Sequence, residues 1–172
     1  MTVEITQTEQ KRFLSLLGIV RREGDLLLKT DARLFKVNLD AAWVERLENE
    51  EDLAERLDAF VSRFGRMQDT LGDKLIPSLL RSLAEKPGSA LDNLNRAEKL
   101  GLLTSVVEWL DVRNLRNKLV HEYMVDAAEF AIALNQAHVV VPLLITTYNA
   151  INLFSHSRIS VPAWPNLLPV EV

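Results

Sequence analysis

Residues 111–126 read Asp-Val-Arg-Asn-Leu-Arg-Asn-Lys-Leu-Val-His-Glu-Tyr-Met-Val-Asp, and two patterns are overlaid in them. Leu110, Leu115 and Leu119 fall on one side of a helix, a stripe that the core of a bundle would cover. On the other side Arg113, Asn117 and His121 form a slowly drifting polar stripe at about 100° per residue, with Arg116 and Tyr123 nearly in line. The expected result is an anchored helix that presents a polar seam, which is how rigid sites are built. Arg116 and His121 are about 140° apart around an ideal helix. They converge only if Arg116 reaches around or if the helix ends near His121.

Outward from this stretch, start signals recur at a fixed spacing. Ser89 and Asp92, Ser105 and Glu108, and Asp126 and Glu129 each place a capping residue three positions before an acidic one, the signature of a helix N-terminus. They predict a short helix over 89–100 closed by Gly101, the motif helix, and a last helix reaching about Phe154 with a kink at Pro142. His121 and Tyr123 then fall at the end of one helix or in the turn to the next. Towards the N-terminus, apolar residues from Ile5 to Val20 keep a helical period, with Gly24 as the expected stop. Residues 26–39 hold no single period and predict a connector with one helical turn. Asp40 is a good N-cap for a long helical pattern through Leu75. The acidic run 48–52 within it is a solvated face or an interruption, and Gly72 with Pro77 should bend or break the helix.

No repeat or strand pattern competes with this reading, so the fold class is all-α, an antiparallel bundle of four to five helices. Residues 1–155 form the bundle domain. Residues 156–172, with Pro162, Pro165 and Pro169 among Trp164, Leu167 and Leu168, form an extended C-terminal arm packed on the bundle or on a neighbour.

The chain has 172 residues and a net charge of -4. A single domain of that size buries roughly 70% of the surface of its unfolded chain. An acidic balance excludes a protein that coats nucleic acid through a broad basic surface, but Arg113, Arg116 and Lys118 against Asp111 and Glu122 leave the seam locally basic. The apolar runs read as shorter than the roughly 18 residues of a membrane span, and no secretory signal is evident. Cysteine is absent, compatible with a reducing compartment, so a cytoplasmic location is expected. Three scattered histidines without cysteine make a metal site unexpected, and no cofactor motif is present.

The seam supplies what RNA cleavage by attack of the 2′-hydroxyl requires. His121 carries an imidazole that can serve as base or acid. Arg116 is a permanent cation for the scissile phosphate and its extra transition-state charge. Asn117 orients the imidazole or bonds a phosphate oxygen, and Tyr123 donates to phosphate or stacks on a base. Arg66, Gln68, Asp69 and Asp73 form a second polar cluster. Its bland reading is an exposed face with local salt bridges; alternatively Asp69 or Asp73 faces the seam, orienting His121 or pairing with Arg113 or Arg116. Trp43, Trp109 and Trp164 read as packing anchors, and His138 and His156 as structural or exposed.

Arg116, the polar Asn117, three further residues, His121, and then Tyr123 two places on resemble the signature of HEPN-domain toxins, the HepT-like ribonucleases paired with minimal nucleotidyltransferases. The resemblance implies a metal-independent endoribonuclease toxin, a homodimer with its RNA cleft at the two-fold axis, and a nucleotidyltransferase-like antitoxin that neutralises it by attaching AMP to Tyr123. Relatives of this bundle were also regarded as substrate-binding subunits of nucleotidyltransferases, so a non-catalytic nucleotide-binding module is the alternative, and a plain helical dimerisation protein a third. The chain departs from small members of that family in residues 26–55 and in the C-terminal arm.

Overall fold

A computed structural model describes residues 2–121 and 125–168, with side chains from residue 7 onward. The first helix, α1 (Thr2–Leu34), is unbroken, which corrects the expected stop at Gly24 and the expected connector over 26–39. Leu27, Leu28, Thr30 and Leu34 are all buried. A helix covered on more than one side needs no single apolar stripe, and that is why its period is unreadable. Gly24 is a packing notch: a Cβ there would lie 2.3 Å from Leu167 Cδ1 and 2.9 Å from Met67 Cε.

Asp40 caps α2 (Ala41–Glu45), accepting the Trp43 N–H at 2.8 Å. A 3-10 turn, Arg46–Glu48, then separates α2 from α3 (Glu51–Thr70), so the acidic run interrupts the helical pattern. Helix α3 passes through a π turn, Leu71–Leu75, directly into α4 (Ile76–Ser82). Pro77 has no N–H, and its ring would clash with the Asp73 carbonyl in α geometry. Locally the wider turn absorbs both problems, so Gly72 and Pro77 rewind the helix without stopping it.

Ser89 and Asp92 form the expected capping box of α5 (Ala90–Lys99), and Gly101 leaves the helix end at φ 77, a conformation that suits a residue lacking Cβ. The motif helix, α6 (Val106–His121), follows. Asp126 caps α7 (Ala127–Ile159) by accepting the Glu129 N–H at 2.9 Å. This last helix continues through Pro142 and five residues beyond Phe154. By length and composition α7 could cross a membrane, contrary to the reading of the apolar runs. In this fold Phe130, Leu134, Val141, Leu144 and Tyr148 are buried against the rest of the bundle, which accounts for their apolar character.

The elements pack as an all-α bundle, with no strand among the described residues. Helix α1 lies antiparallel to α3: Glu23 pairs with Arg66, while Arg63 donates to the Thr30 hydroxyl. Phe13, Leu17, Phe60, Phe64, Phe130 and Tyr148, all at 0% exposure, form the central core.

The arm folds back onto this bundle. Ser160 ends α7 in the left-handed region, φ 53, and residues 161–168 run along α1 and α7 without regular secondary structure. Asn152 accepts the Trp164 N–H at 3.0 Å and donates to the Trp164 carbonyl. Asn149 does the same for Leu167, at 2.8 and 2.9 Å. The Pro165 carbonyl accepts from the Tyr148 hydroxyl at 3.0 Å and from Arg21 Nε at 2.9 Å. Burial pushes the Tyr148 phenol up to about 12, opposed by Arg21, so the phenol holds its proton as a donor across the ordinary pH range. Trp164 covers Gly18 and Leu167 fills the notch at Gly24. The arm therefore rests on its own chain.

Candidate functional site

The core stripe of α6 is Val106, Trp109, Val112, Leu115 and Leu119, all buried; Leu110 is only half-buried. This ladder fixes the roll of the helix. One close approach, at Gly72, fixes its height, and an ordinary contact at Gly65 agrees with it. A Cβ on Gly72 would lie 3.1 Å from Trp109 Nε1, and one on Gly65 would lie 3.5 Å from Arg116 Nε. The two glycines are seven residues apart, as are the two side chains they face, in opposite chain directions. Helix α6 therefore crosses α3 antiparallel in one register, and the π turn holding Gly72 is part of the seat for Trp109.

That register brings the second polar cluster to the motif. Arg116 Nη2 donates to Asp69 at 3.0 Å, and Arg113 Nη2 donates to Asp73 at 2.9 Å. Arg116 Nη1 also reaches Asn117 Oδ1 at 3.4 Å. Its Nε is buried over Gly65 and has no partner among the described residues. With 31% and 40% of the Arg116 and Asp69 side chains exposed, this pair is worth at most about 1 kcal/mol, so its effect is to orient the guanidinium more than to stabilise the fold. The rest of the cluster faces elsewhere: Arg66 turns to Glu23 and Ser62, and Gln68 is fully buried, not part of an exposed face.

Arg116 and His121 open onto different grooves. Arg116 lines a cleft with Asp58, Ser62, Gly65, Asp69 and Val120, on the α3 side. His121 lines a groove of about 1250 Å³ between α6 and α7, with Asn114, Asn117, Lys118, Gln136 and Val139. The five-residue spacing therefore plays out as a regular helix dictates: α6 continues to His121, and the two side chains do not converge within one chain. Asn117 is the link, since it lines the groove of His121 and accepts from Arg116. The expectation for Tyr123 lies outside the described residues.

The α6–α7 groove also exposes apolar side chains, Ile132 at 52% and Val139 at 74%. Away from it, His138 Nδ1 meets Asp31 Oδ1 at 2.7 Å and its ring stacks on Phe35, while His156 Nδ1 meets the Val161 carbonyl at 2.9 Å. Each thus has a partner within the fold, and neither lines the groove of His121. No group of three or more metal-binding side chains occurs among the described residues. Sequence reasoning missed Gly72 as a determinant of the site; the seven-residue spacing of Gly65 and Gly72, shared by Trp109 and Arg116, was the available signal. No family model, curated protein or solved structure matches the chain.

Proposed function

We propose that this chain is a metal-independent endoribonuclease of a toxin–antitoxin pair, in which Arg116 binds the scissile phosphate and His121 moves the proton of the 2′-hydroxyl or of the leaving oxygen. The observation that carries this reading is the fixed guanidinium of Arg116, oriented by Asp69 and joined through Asn117 to the groove of His121. Attack of a 2′-hydroxyl on its neighbouring phosphodiester needs a base, an acid and a cation for the extra negative charge of the transition state. Histidine and arginine supply all three without a metal.

One chain offers one such histidine and turns it away from its arginine. A two-fold dimer across α6 and α7 resolves both points, because an isologous interface presents the same patch twice and sets the His121 of each chain beside the other. It also covers Ile132 and Val139, side chains that a monomer would leave in water. A nucleotidyltransferase-like antitoxin and AMP transfer to Tyr123 complete the proposal; phosphate placed beside Arg116 would compete there with RNA.

A second reading, a non-catalytic nucleotide-binding subunit, draws on the size of the α6–α7 groove, which exceeds what a drug-sized ligand needs. Purified protein incubated with single-stranded RNA in EDTA separates the two. Cleavage is expected for the native chain, no cleavage for Arg116→Ala or His121→Ala, and none when the 2′-hydroxyls are methylated. Normal cleavage by the His121→Ala protein would remove the catalytic assignment, and nucleotide binding without any cleavage would favour the second reading.

A further inference from the structure

A second cationic cleft, of about 600 Å³, lies between α1 and the π turn that leads into α4, lined by Arg12, Ser15, Leu16, Asp73, Lys74, Ser78 and Arg81. Three of these are cations. Arg12 has one long contact, to Glu9 at 3.8 Å, and Lys74 and Arg81 are exposed with no ion pair among the described residues. Asp73 lines the same cleft, but its Oδ1 is engaged by Arg113. At the floor, Ser78 is 1% exposed, and its hydroxyl has no hydrogen-bond partner among the described residues. A buried hydroxyl without a partner costs free energy unless a ligand uses it. Unpaired cations around such a donor suit an oxyanion.

Asp73 borders this cleft and also accepts from Arg113, one helical turn before Arg116. From Asp69 to Arg81 the α3–α4 axis advances about 18 Å, room for a single strand several nucleotides long. On a chain of net charge -4, Arg12, Lys74 and Arg81 gather at this cleft, with Arg113 beside it on Asp73.

We propose that the Arg12–Lys74–Arg81–Ser78 cleft is a phosphate-binding subsite that holds the RNA backbone several nucleotides away from the cleaved bond. The Ser78 hydroxyl donates to a phosphate oxygen, and the three cations neutralise the strand. This subsite rests on the ribonuclease reading for the identity of its ligand. It reads phosphate, not bases, so it sets the minimum length of a good substrate and leaves its sequence open.

The test uses full-length protein and fluorescent 2′-O-methyl RNA, which binds but cannot be cleaved, as a dinucleotide and an octanucleotide, titrated across a salt series. Each neutralised phosphate on a single strand contributes about 0.7 to the slope of log K against log salt. Lys74→Ala/Arg81→Ala is therefore expected to lower the octanucleotide slope by about 1.4 and to leave dinucleotide binding unchanged. Ser78→Ala should weaken the octanucleotide without changing its slope, and should leave the melting temperature of the free protein equal or higher. An unchanged octanucleotide slope in the double variant, or no octanucleotide binding by the native chain, overturns the subsite. If the native chain binds the octanucleotide with the predicted loss of slope in the variant but cleaves no RNA, the subsite stands and the ribonuclease reading falls. If the native chain cleaves RNA and the slope is unchanged in the variant, the subsite falls and the ribonuclease reading stands.

Discussion

An alanine at Gly65 and an alanine at Gly72 are expected to act with opposite sign, although both residues lie in helical backbone on the same face. Replacing a helical glycine by alanine stabilises by roughly 0.5–1 kcal/mol, because the unfolded chain has less freedom to lose. At Gly65 nothing opposes that gain. The new Cβ would sit 3.5 Å from Arg116 Nε and 3.7 Å from its Cγ, ordinary contact with a side chain that can adjust. At Gly72 the Cβ would sit 3.1 and 3.2 Å from Trp109 Nε1 and Cζ2, and that ring is only 1% exposed. Overfilling a packed interface costs about 1–3 kcal/mol, which exceeds the helical gain. The net expectation is a gain of about 0.5–1 kcal/mol for Gly65→Ala and a loss of about 1–2 kcal/mol for Gly72→Ala. For a domain of this length each kcal/mol moves the melting temperature by about 2–4 °C. Differential scanning calorimetry reads both variants, and near-ultraviolet circular dichroism in a Trp43→Phe/Trp164→Phe background reports whether the Trp109 ring has moved. Stabilisation by both alanines, or a Trp109 signal unchanged by Gly72→Ala, would refute the seating of Trp109 on Gly72.

Three further outcomes are expected. Leu115→Ala, at a position 7% exposed, should cost about 2–5 kcal/mol in a urea titration. Burial raises the Asp31 carboxyl above its ordinary value, with His138 opposing through a hydrogen bond and its charge. Folding is therefore favoured by this group at acid pH, and that contribution is lost as pH rises through the raised value. His138→Leu removes both the hydrogen bond and the charge, so its destabilisation should be larger at pH 7, where the Asp31 carboxylate is ionised, than at pH 4; equal losses at the two pH values would show that only the Phe35 stacking mattered. Asn149→Ala/Asn152→Ala removes both clamps on the arm and should make the Asn166–Leu167 bond cleavable by thermolysin under conditions where the native chain resists, with the bundle still helical by circular dichroism.

Much of the fold could be read because the caps are local chemistry. Ser89 with Asp92, Asp126 with Glu129, and Asp40 with Trp43 N–H each act within four residues, and sequence displays such spacings directly. Residues 26–39 misled because the surroundings of α1 are supplied by α3, α7 and the arm, which no window on α1 contains. Gly24 looked like punctuation for the same reason: what it accommodates, Leu167, is distant in sequence. At the candidate site, the angle between Arg116 and His121 followed from helical geometry alone, and the structure keeps it. The pairing of Asp69 with Arg116 and Asp73 with Arg113 could be offered as one of two possibilities and no further. Choosing between them required the register of α6 on α3, which Gly72 and Trp109 decide by steric fit.

The way Asn149 and Asn152 hold the arm has a consequence for how this terminus can drift. Each amide recognises one residue's main-chain N–H and C=O, groups that nearly every amino acid carries. Between and before the clamped residues, Pro162, Ala163, Pro165 and Asn166 are exposed. The buried Val161, the indole over Gly18, the leucine in the Gly24 notch and Asn166, whose Oδ1 accepts from Asn152, depend on side-chain identity. Point changes at Pro162, Ala163 and Pro165 should therefore pass almost unnoticed. A single inserted or deleted residue between Trp164 and Leu167 should not, because it carries one clamp off its partner while the other still holds.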